Sequence, residues 1–170
     1  MNTSDVIFDI LKQYTDVVFF VPGGQAAFLV DALGRSGLKH ISALHEQGAG
    51  FMACGYAQYT GRLGVCLVTS GPGATNAITP CAAAWMDSLP VLFISGQANL
   101  HPNDNLRVRG VQSVNIVYCV DQITKRVYLI DRKVLSPNMV FVKGMIETCL
   151  SDRPGPCWID IPLNMQAEEI

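Results

Sequence analysis

Apolar residues follow a helical period in some segments of the chain and cluster into short runs in others. The helical spacing predicts helices over residues 4–14, 25–34, 46–60, 77–86, 113–119 and 136–150, the last with Pro137 just inside its start. The short runs, several of them apolar throughout, predict strands at residues 17–21, 38–43, 63–69, 90–96, 123–129 and 157–161. Strands and helices therefore alternate along the chain.

This alternation predicts an α/β fold, a three-layer α/β/α sandwich around a central parallel sheet of about six strands. The 170 residues suffice for one domain with a full core. In such folds ligands bind at the carboxyl ends of the strands. The candidate loops are therefore residues 22–25, 44–46, 69–76 and 96–112, and we expect residues 97–110 to form the longest and most mobile loop.

The composition narrows the classes of partner. Hydrophobic residues make up 49% of the chain and charged residues only 15%, which indicates extensive burial or a large surface that contacts another protein. The net charge of -2, without runs of lysine or arginine, argues against binding to nucleic acid or to a membrane surface. No apolar run is long enough to span a membrane, so we expect a cytoplasmic protein.

The six cysteines occur singly among apolar neighbours. None belongs to a C-x-x-C pair, and no histidine stands at the spacing of a metal site. We therefore expect small, buried, reduced side chains and no metal bound by this chain.

Glu46 is the acidic residue at the start of a helix whose later residues are almost all apolar or small. If its side chain faces the interior, loss of water favours a neutral, hydrogen-bonding acid suited to proton transfer. Alternatively, it lies in the first helical turn only to complement the helix dipole. The helix pattern alone leaves both interpretations open.

Two glycine-containing loops follow predicted strands. The glycine-rich loop, residues 69–76 with the sequence TSGPGATN, leads into a helix, so its free amides are able to hold an anion or a polar ring. It is neither a Walker loop nor G-x-G-x-x-G, and a plain structural turn is the alternative. Gly23 and Gly24, after Pro22, present the same choice.

Three further side chains have a functional and a structural interpretation. His45, beside Glu46, is either a proton shuttle or a hydrogen-bonded structural residue. Arg107 and Arg109 either bind a carboxylate or phosphate of a substrate or are simply solvated.

Two longer strings of residues carry a family resemblance. LHEQGAGFMACGYAQYTG, followed by GVCLVTSGPGATNAITPCAAAWMDSLPVLFISGQ, resembles the amino-terminal pyrimidine-binding domain of thiamine-diphosphate-dependent enzymes, in particular the acetolactate synthase family. The resemblance extends from the loop at Pro22 to the string RPGPCWIDIP, and the spacing from Glu46 to the glycine-rich loop matches as well as the letters. It implies the thiamine-diphosphate-binding fold.

The resemblance also implies roles for single residues. Glu46 would be the catalytic glutamate that hydrogen-bonds N1′ of the aminopyrimidine and so promotes loss of the proton at C2 of the thiazolium. Gln112 looks like the family's glutamine that reaches the cofactor or substrate. The other residues expected against the cofactor are Pro22, Gly23, Gly24, Thr69, Pro72, Gly73 and Asn76.

The chain departs from the family pattern at two places. The usual FQE-D string is replaced by Val111-Gln112-Ser113-Val114-Asn115, and the lysine usual after the last strand's proline is Leu163. Because these changes concern the acetolactate reaction more than the cofactor, related enzymes with other 2-oxo acid substrates remain alternatives.

The family binds the diphosphate through Mg2+ with a Gly-Asp-Gly motif, and this sequence contains no such motif. The resemblance therefore implies a diphosphate-binding domain elsewhere, in the same or another chain, and a homodimer with a site formed between subunits. We expect residues 1–165 to form the pyrimidine-binding domain and residues 166–170 to begin a linker. Whether FAD binds elsewhere is open.

The function that these residues predict is that of a domain in an enzyme that decarboxylates 2-oxo acids or joins their carbon chains. Two alternatives remain: a non-catalytic dimerising or regulatory module with the same fold, and one chain of a two-chain decarboxylase. This chain alone is expected to be inactive, because it supplies only half of a site.

Overall fold

The computed structural model describes residues 1–99, 110–136 and 138–170. Within these residues there are six strands: β1 (Val17–Phe20), β2 (Lys39–Ser42), β3 (Gly64–Val68), β4 (Val91–Gln97), β5 (Arg126–Leu129) and β6 (Cys157–Pro162). They pair in parallel in the order β2-β1-β3-β4-β6-β5. The predicted parallel sheet is confirmed.

The α-helices of the described residues lie before, between and after the strands. They are α1 (Thr3–Leu11), α2 (Ala27–Ser36), α3 (Glu46–Thr60), α4 (Pro72–Asn76), α5 (Ile78–Met86), α6 (Ile116–Val120), α7 (Val140–Leu150) and α8 (Leu163–Gln166). A capping box formed by Asn2 and Asp5 begins α1, and Gly61 in a left-handed conformation ends α3.

Several helix bounds differ from the prediction. Part of the glycine-rich loop forms α4, since the fixed φ of Pro72 suits the first position of a helix. Helix α6 begins at Ile116, after Asn115 caps it, and α7 begins at Val140. Pro137 lies outside the described residues, as does most of the predicted loop 97–110.

Two hydrophobic clusters cover the two faces of the sheet. One includes Phe8 of α1, Leu29 of α2 and Ile146 of α7, and the other includes Ala53 of α3 and Cys81 of α5. Helices therefore cover both faces, which confirms the three-layer α/β/α class. The sheet order reverses between β1 and β3, so the loops after these two strands meet at a switch point, the usual place for a ligand.

The last residues of the chain pack against the first helix. Thr3 N donates to Glu168 O at 2.8 Å, and Ser4 Oγ donates to Gln166 O at 3.0 Å. The buried side chain of Gln166 in turn donates to Gln25 O at 2.7 Å. The sequence predicted no element here, whereas α8 forms; the boundary near residue 165 remains a prediction.

The cysteines are free thiols, and all but Cys119 are buried. The prediction that all six are buried is therefore wrong for Cys119. Burial raises the pKa of Cys54 to about 11, which keeps this thiol protonated. In the described residues no helix is long and apolar enough to cross a membrane.

Asp160 on β6 is a buried carboxyl, 1% exposed, within an otherwise apolar strand. Its Oδ1 accepts a hydrogen bond from Ser95 Oγ at 2.6 Å, and its Oδ2 accepts one from Gln97 Nε2 at 2.9 Å. Desolvation raises the pKa of Asp160 to about 7, although both hydrogen bonds act in the opposite direction. At a pH between the pKa of Asp160 in the unfolded chain and its raised pKa in the folded protein, the folded protein therefore keeps a proton on this carboxyl that the unfolded chain has released.

This difference predicts that stability falls as the pH rises towards about 7. Between about pH 5 and pH 8, Asp160 should lower the free energy of unfolding by about 3 kcal/mol, and Asp160→Asn should remove that slope because an amide does not titrate. Denaturant unfolding at both pH values measures the effect. Asp9→Asn, which changes an exposed carboxyl, is the matched control and should keep the wild-type slope.

Candidate functional site

Glu46 is the first residue of α3, directly after the edge strand β2, and its side chain is half-buried. The residue that caps this helix is His45, whose Nδ1 accepts a hydrogen bond from Gln47 N at 3.2 Å. The structural interpretation of His45 therefore has a contact to support it. His45, and not Glu46, therefore caps the helix.

The carboxyl group of Glu46 is tied to the end of the glycine-rich loop. Asn76 Nδ2 donates to Glu46 Oε2 at 3.0 Å. A β-carbon added to Gly73 would lie 3.4 Å from Glu46 Oε1 and 2.7 Å from Thr69 Cγ2, so this second oxygen borders the backbone of Gly73, against which Thr69 packs. Asn76 thus fixes one oxygen of Glu46, and the other lies beside Gly73. We call Gly23, Gly73 and Thr69 the glycine cradle.

Thr69 is the point at which the loops after β1 and β3 meet. A β-carbon on Gly23 would lie 2.6 Å from Thr69 Cγ2 and 2.7 Å from Thr69 Oγ1, and one on Gly73 would lie 2.7 Å from Thr69 Cγ2. Only glycine permits this approach. Thr69 Oγ1 is buried and has no hydrogen-bond partner within the described parts of the chain, which suits a hydroxyl that faces a ligand.

Gly71 and Gln112 bring a further segment to this edge of the sheet. Gly71 has a φ of +57°, and a β-carbon there would lie 2.9 Å from the carbonyl carbon of Gln112. Gln112 also has a positive φ, of 60°, and its side chain is exposed. The sequence reasoning named Gln112 but missed Gly71, whose role depends on a contact between distant loops.

The structure thus groups the residues predicted to bind a cofactor into a centre and a rim. Glu46, Thr69, Gly73 and Asn76 form the centre, with Gly23 against Thr69. Pro22, Gly24 and Pro72 are exposed and form the rim, with Gln112 beside Gly71. Arg107 and Arg109, the other candidates, lie outside the described residues.

Residues 1–122 match the sequence profile of the family described as "Thiamine pyrophosphate enzyme, N-terminal TPP binding domain". The chain belongs to this family. Thiamine pyrophosphate is the same compound as thiamine diphosphate, so the resemblance of the two strings is confirmed, together with the class of cofactor that the family binds. The match includes Glu46 and the glycine-rich loop.

Curated relatives of this thiamine pyrophosphate enzyme domain are similar over most of its length. The "Acetolactate synthase large subunit" of Corynebacterium glutamicum is 39% identical over 158 residues, which is 91% of this chain and 24% of the relative. The "Acetolactate synthase isozyme 2 large subunit" of Escherichia coli is 37% identical over 95% of the chain and 28% of its own length. The chain thus spans about a quarter of the length of these relatives.

The residues at the centre fit one half of the cofactor, its flat aminopyrimidine. Gly23 and Gly73 present bare backbone packed on Thr69, the Oγ1 of Thr69 has no hydrogen-bond partner within the described residues, and Glu46 supplies a carboxyl oxygen. The described residues contain no group of three His, Cys, Asp or Glu side chains that would hold a metal. The donors at the centre therefore suit the ring.

The contact between Gly73 and Thr69 allows a test of the cradle. Gly73→Ala should lower the free energy of unfolding by about 1 to 3 kcal/mol, because the added methyl group collides with Thr69 Cγ2. Thr69→Ser removes that methyl group and keeps the hydroxyl. The double variant should therefore recover most of the loss, since alanine is then the better helix former in α4.

Thermal unfolding of the two single variants and the double variant measures this coupling. Gly24→Ala is the control, because a β-carbon there meets no atom within 4 Å. Additive effects of the two substitutions would show that Thr69 and Gly73 do not share the space.

Proposed function

We propose that this domain binds the aminopyrimidine of thiamine diphosphate against Glu46, within an enzyme that acts on 2-oxo acids. The observation that supports the proposal is the position of the Glu46 carboxyl: Asn76 holds its Oε2 by a hydrogen bond, and its Oε1 lies beside Gly73 of the glycine cradle. A carboxyl held in this way is able to share a proton with a ring nitrogen that lies in the cradle.

Each residue of the centre has a part in this proposal. Glu46 Oε1 holds or gives the proton at the ring nitrogen, and Asn76 keeps the carboxyl in place. Thr69 Oγ1 contributes a hydrogen bond, while Gly23 and Gly73 let the ring approach the backbone. When bound, thiamine diphosphate supplies an acidic carbon and an electron sink for decarboxylation. A ring that covers Glu46 also excludes water, which strengthens the hydrogen bond to the carboxyl.

The residues at the rim complete the proposed half-site. Pro22, Gly24 and Pro72 border the ring, and Gln112 reaches the cofactor or substrate from the segment beside Gly71. The sequence has no Gly-Asp-Gly motif, so we propose that Mg2+ and the diphosphate bind to another domain, of the same or another chain. The proposed division, with the pyrimidine in this domain and the diphosphate in another, rests on the missing Gly-Asp-Gly motif.

We also propose that the domain functions in a homodimer. Large apolar side chains are exposed on the packed pair α3 and α5: Phe51, Tyr59, Trp85 and Met86. Aromatic and methionine side chains are enriched in the cores of protein interfaces. Because α3 begins at Glu46, a partner on this face would also cover the site.

The substrate class rests on the relatives, whose names describe acetolactate synthases. We propose decarboxylation of a 2-oxo acid, with carbon–carbon bond formation as a possible second step. Ser113, Asn115 and Leu163 replace residues usual in the acetolactate synthases, so the acceptor of the second step is the part of the reaction expected to differ.

Glu46→Gln tests the catalytic role directly. In the complete enzyme with thiamine diphosphate and Mg2+, hydrogen exchange at C2 of the cofactor should become at least about a hundredfold slower, because the amide has no acidic proton. His45→Asn is the matched control, since asparagine is also a good helix cap and the carboxyl is unchanged. Unchanged exchange in Glu46→Gln would contradict the role.

The proposed half-site predicts that this 170-residue chain alone does not distinguish thiamine from thiamine diphosphate. Their dissociation constants should agree within about threefold, with or without Mg2+, because the chain contacts only the pyrimidine. Isothermal titration calorimetry measures both ligands. Much tighter, Mg2+-dependent binding of thiamine diphosphate would place the diphosphate site in this chain and overturn the division.

A further inference from the structure

The side chain of Gln97, at the end of β4, joins three parts of the protein. Its Nε2 donates to Asp160 Oδ2 at 2.9 Å and to Val114 O at 2.8 Å, while its Oε1 accepts from Ala98 N at 3.0 Å. Gln97 is 6% exposed and Asp160 is 1% exposed. The hydrogen bonds to Asp160 and Ala98 are therefore buried and the one to Val114 O is partly buried, so their loss is costly.

Asp160 determines which way the amide of Gln97 points. Asp160 Oδ2 accepts from the NH2 group of Gln97 whether the carboxyl is ionised or carries its proton on Oδ1, so Gln97 Oε1 is left for Ala98 N. The other oxygen of Asp160 accepts from Ser95 Oγ, which itself accepts from Trp158 Nε1 at 2.8 Å. Both oxygens of Asp160 therefore have a hydrogen-bond partner. Gln97 uses one N–H of its amide for Asp160 and the other for Val114 O.

Val114 belongs to the segment that lies against the glycine-rich loop. Ser113 N donates to Gly110 O at 3.2 Å, and Ile116 N donates to Val114 O at 2.9 Å, so residues 110–113 and 114–116 form two successive turns. The first turn places the backbone of Gln112 directly against Gly71. In the described residues, Gln97 is the side chain that connects these turns to the buried end of the sheet.

We infer that Asp160 is a positioning residue, which orients Gln97 so that residues 110–116 are held over the glycine-rich loop with Gln112 at the site. Asp160 acts through Gln97 and touches no reacting atom. The consequence for catalysis rests on the function proposed above, whereas the positioning itself concerns contacts within this chain.

Amide hydrogen exchange of the full chain, without cofactor, tests the positioning. Asp160→Leu and Gln97→Met should each speed exchange in residues 110–116 by at least about tenfold relative to β3, because Val114 O loses an oriented donor. Gln97→Met covers the case in which Asp160→Leu fails to fold. Asp160→Asn keeps an acceptor for Gln97 and should restore exchange to within about threefold of the wild type.

Ser95→Ala is the matched control. It removes two buried hydrogen bonds of the same network but leaves the Gln97 to Val114 contact, so exchange in residues 110–116 should change by less than about twofold. Equal acceleration in Ser95→Ala and Gln97→Met would indicate general loosening and overturn the inference. Unchanged exchange in Gln97→Met would also overturn it.

A kinetic measurement separates this inference from the proposed function. In the complete enzyme, Gln97→Met and Gln112→Ala should lower kcat/KM to a similar extent, and the double variant should be no worse than either alone. If Glu46→Gln leaves C2 exchange unchanged, the proposed function fails while the amide-exchange result still decides the positioning. Additive losses in the double variant would show that Gln97 does not act through Gln112.

Discussion

The close approach of the loops after β1 and β3 is the constraint on which the rest of the site depends. The parallel order places these two strands side by side, so their carboxyl ends open at the same point of the sheet. Gly23 and Gly73 then lie so near Thr69 that any side chain would collide with it. Because both loops pack on this one threonine, the glycine cradle lies beside Glu46.

Glu46 satisfies two physical requirements that at first looked like alternatives. Its place in the first turn of α3 complements the helix dipole, as the structural interpretation held. However, His45 already caps the helix, and the carboxyl of Glu46 bonds across to Asn76 rather than to its own backbone. The dipole therefore stabilises a carboxyl whose hydrogen bonding is directed at the loop.

The elements that the sequence predicts well are those determined by local pattern. Strands β3, β4 and β6 are apolar over most of their length, and burial on both faces follows directly from that pattern. Glu46 and the glycine-rich loop were found because their letters and spacing match a family. The pattern also indicated the loops at the carboxyl ends of the strands as the place of a site, but it did not give the strand order.

The features that the sequence does not predict depend on contacts between distant residues. Helix α4 lies in a stretch whose glycines and proline indicate a turn. Its last residue, Asn76, is anchored on Glu46 by a hydrogen bond. The position of residues 110–116 depends on the bonds of Gln97 to Asp160 and Val114. The available signal was Asp160 itself, because a carboxylate in an apolar strand needs buried partners.

A half-buried Glu46 is what a site divided between domains requires. A carboxyl enclosed by its own domain would already have lost its water and would need no partner to become part of a dry site. Here one oxygen is fixed by Asn76, while the exposed apolar side chains Phe51 and Tyr59 lie further along the same helix. In the proposed homodimer, burying those side chains against a partner would place apolar surface along the helix that begins at Glu46. Dimerisation would then bury apolar surface that the isolated domain leaves in water, and the same step would reduce the water around the Glu46 carboxyl.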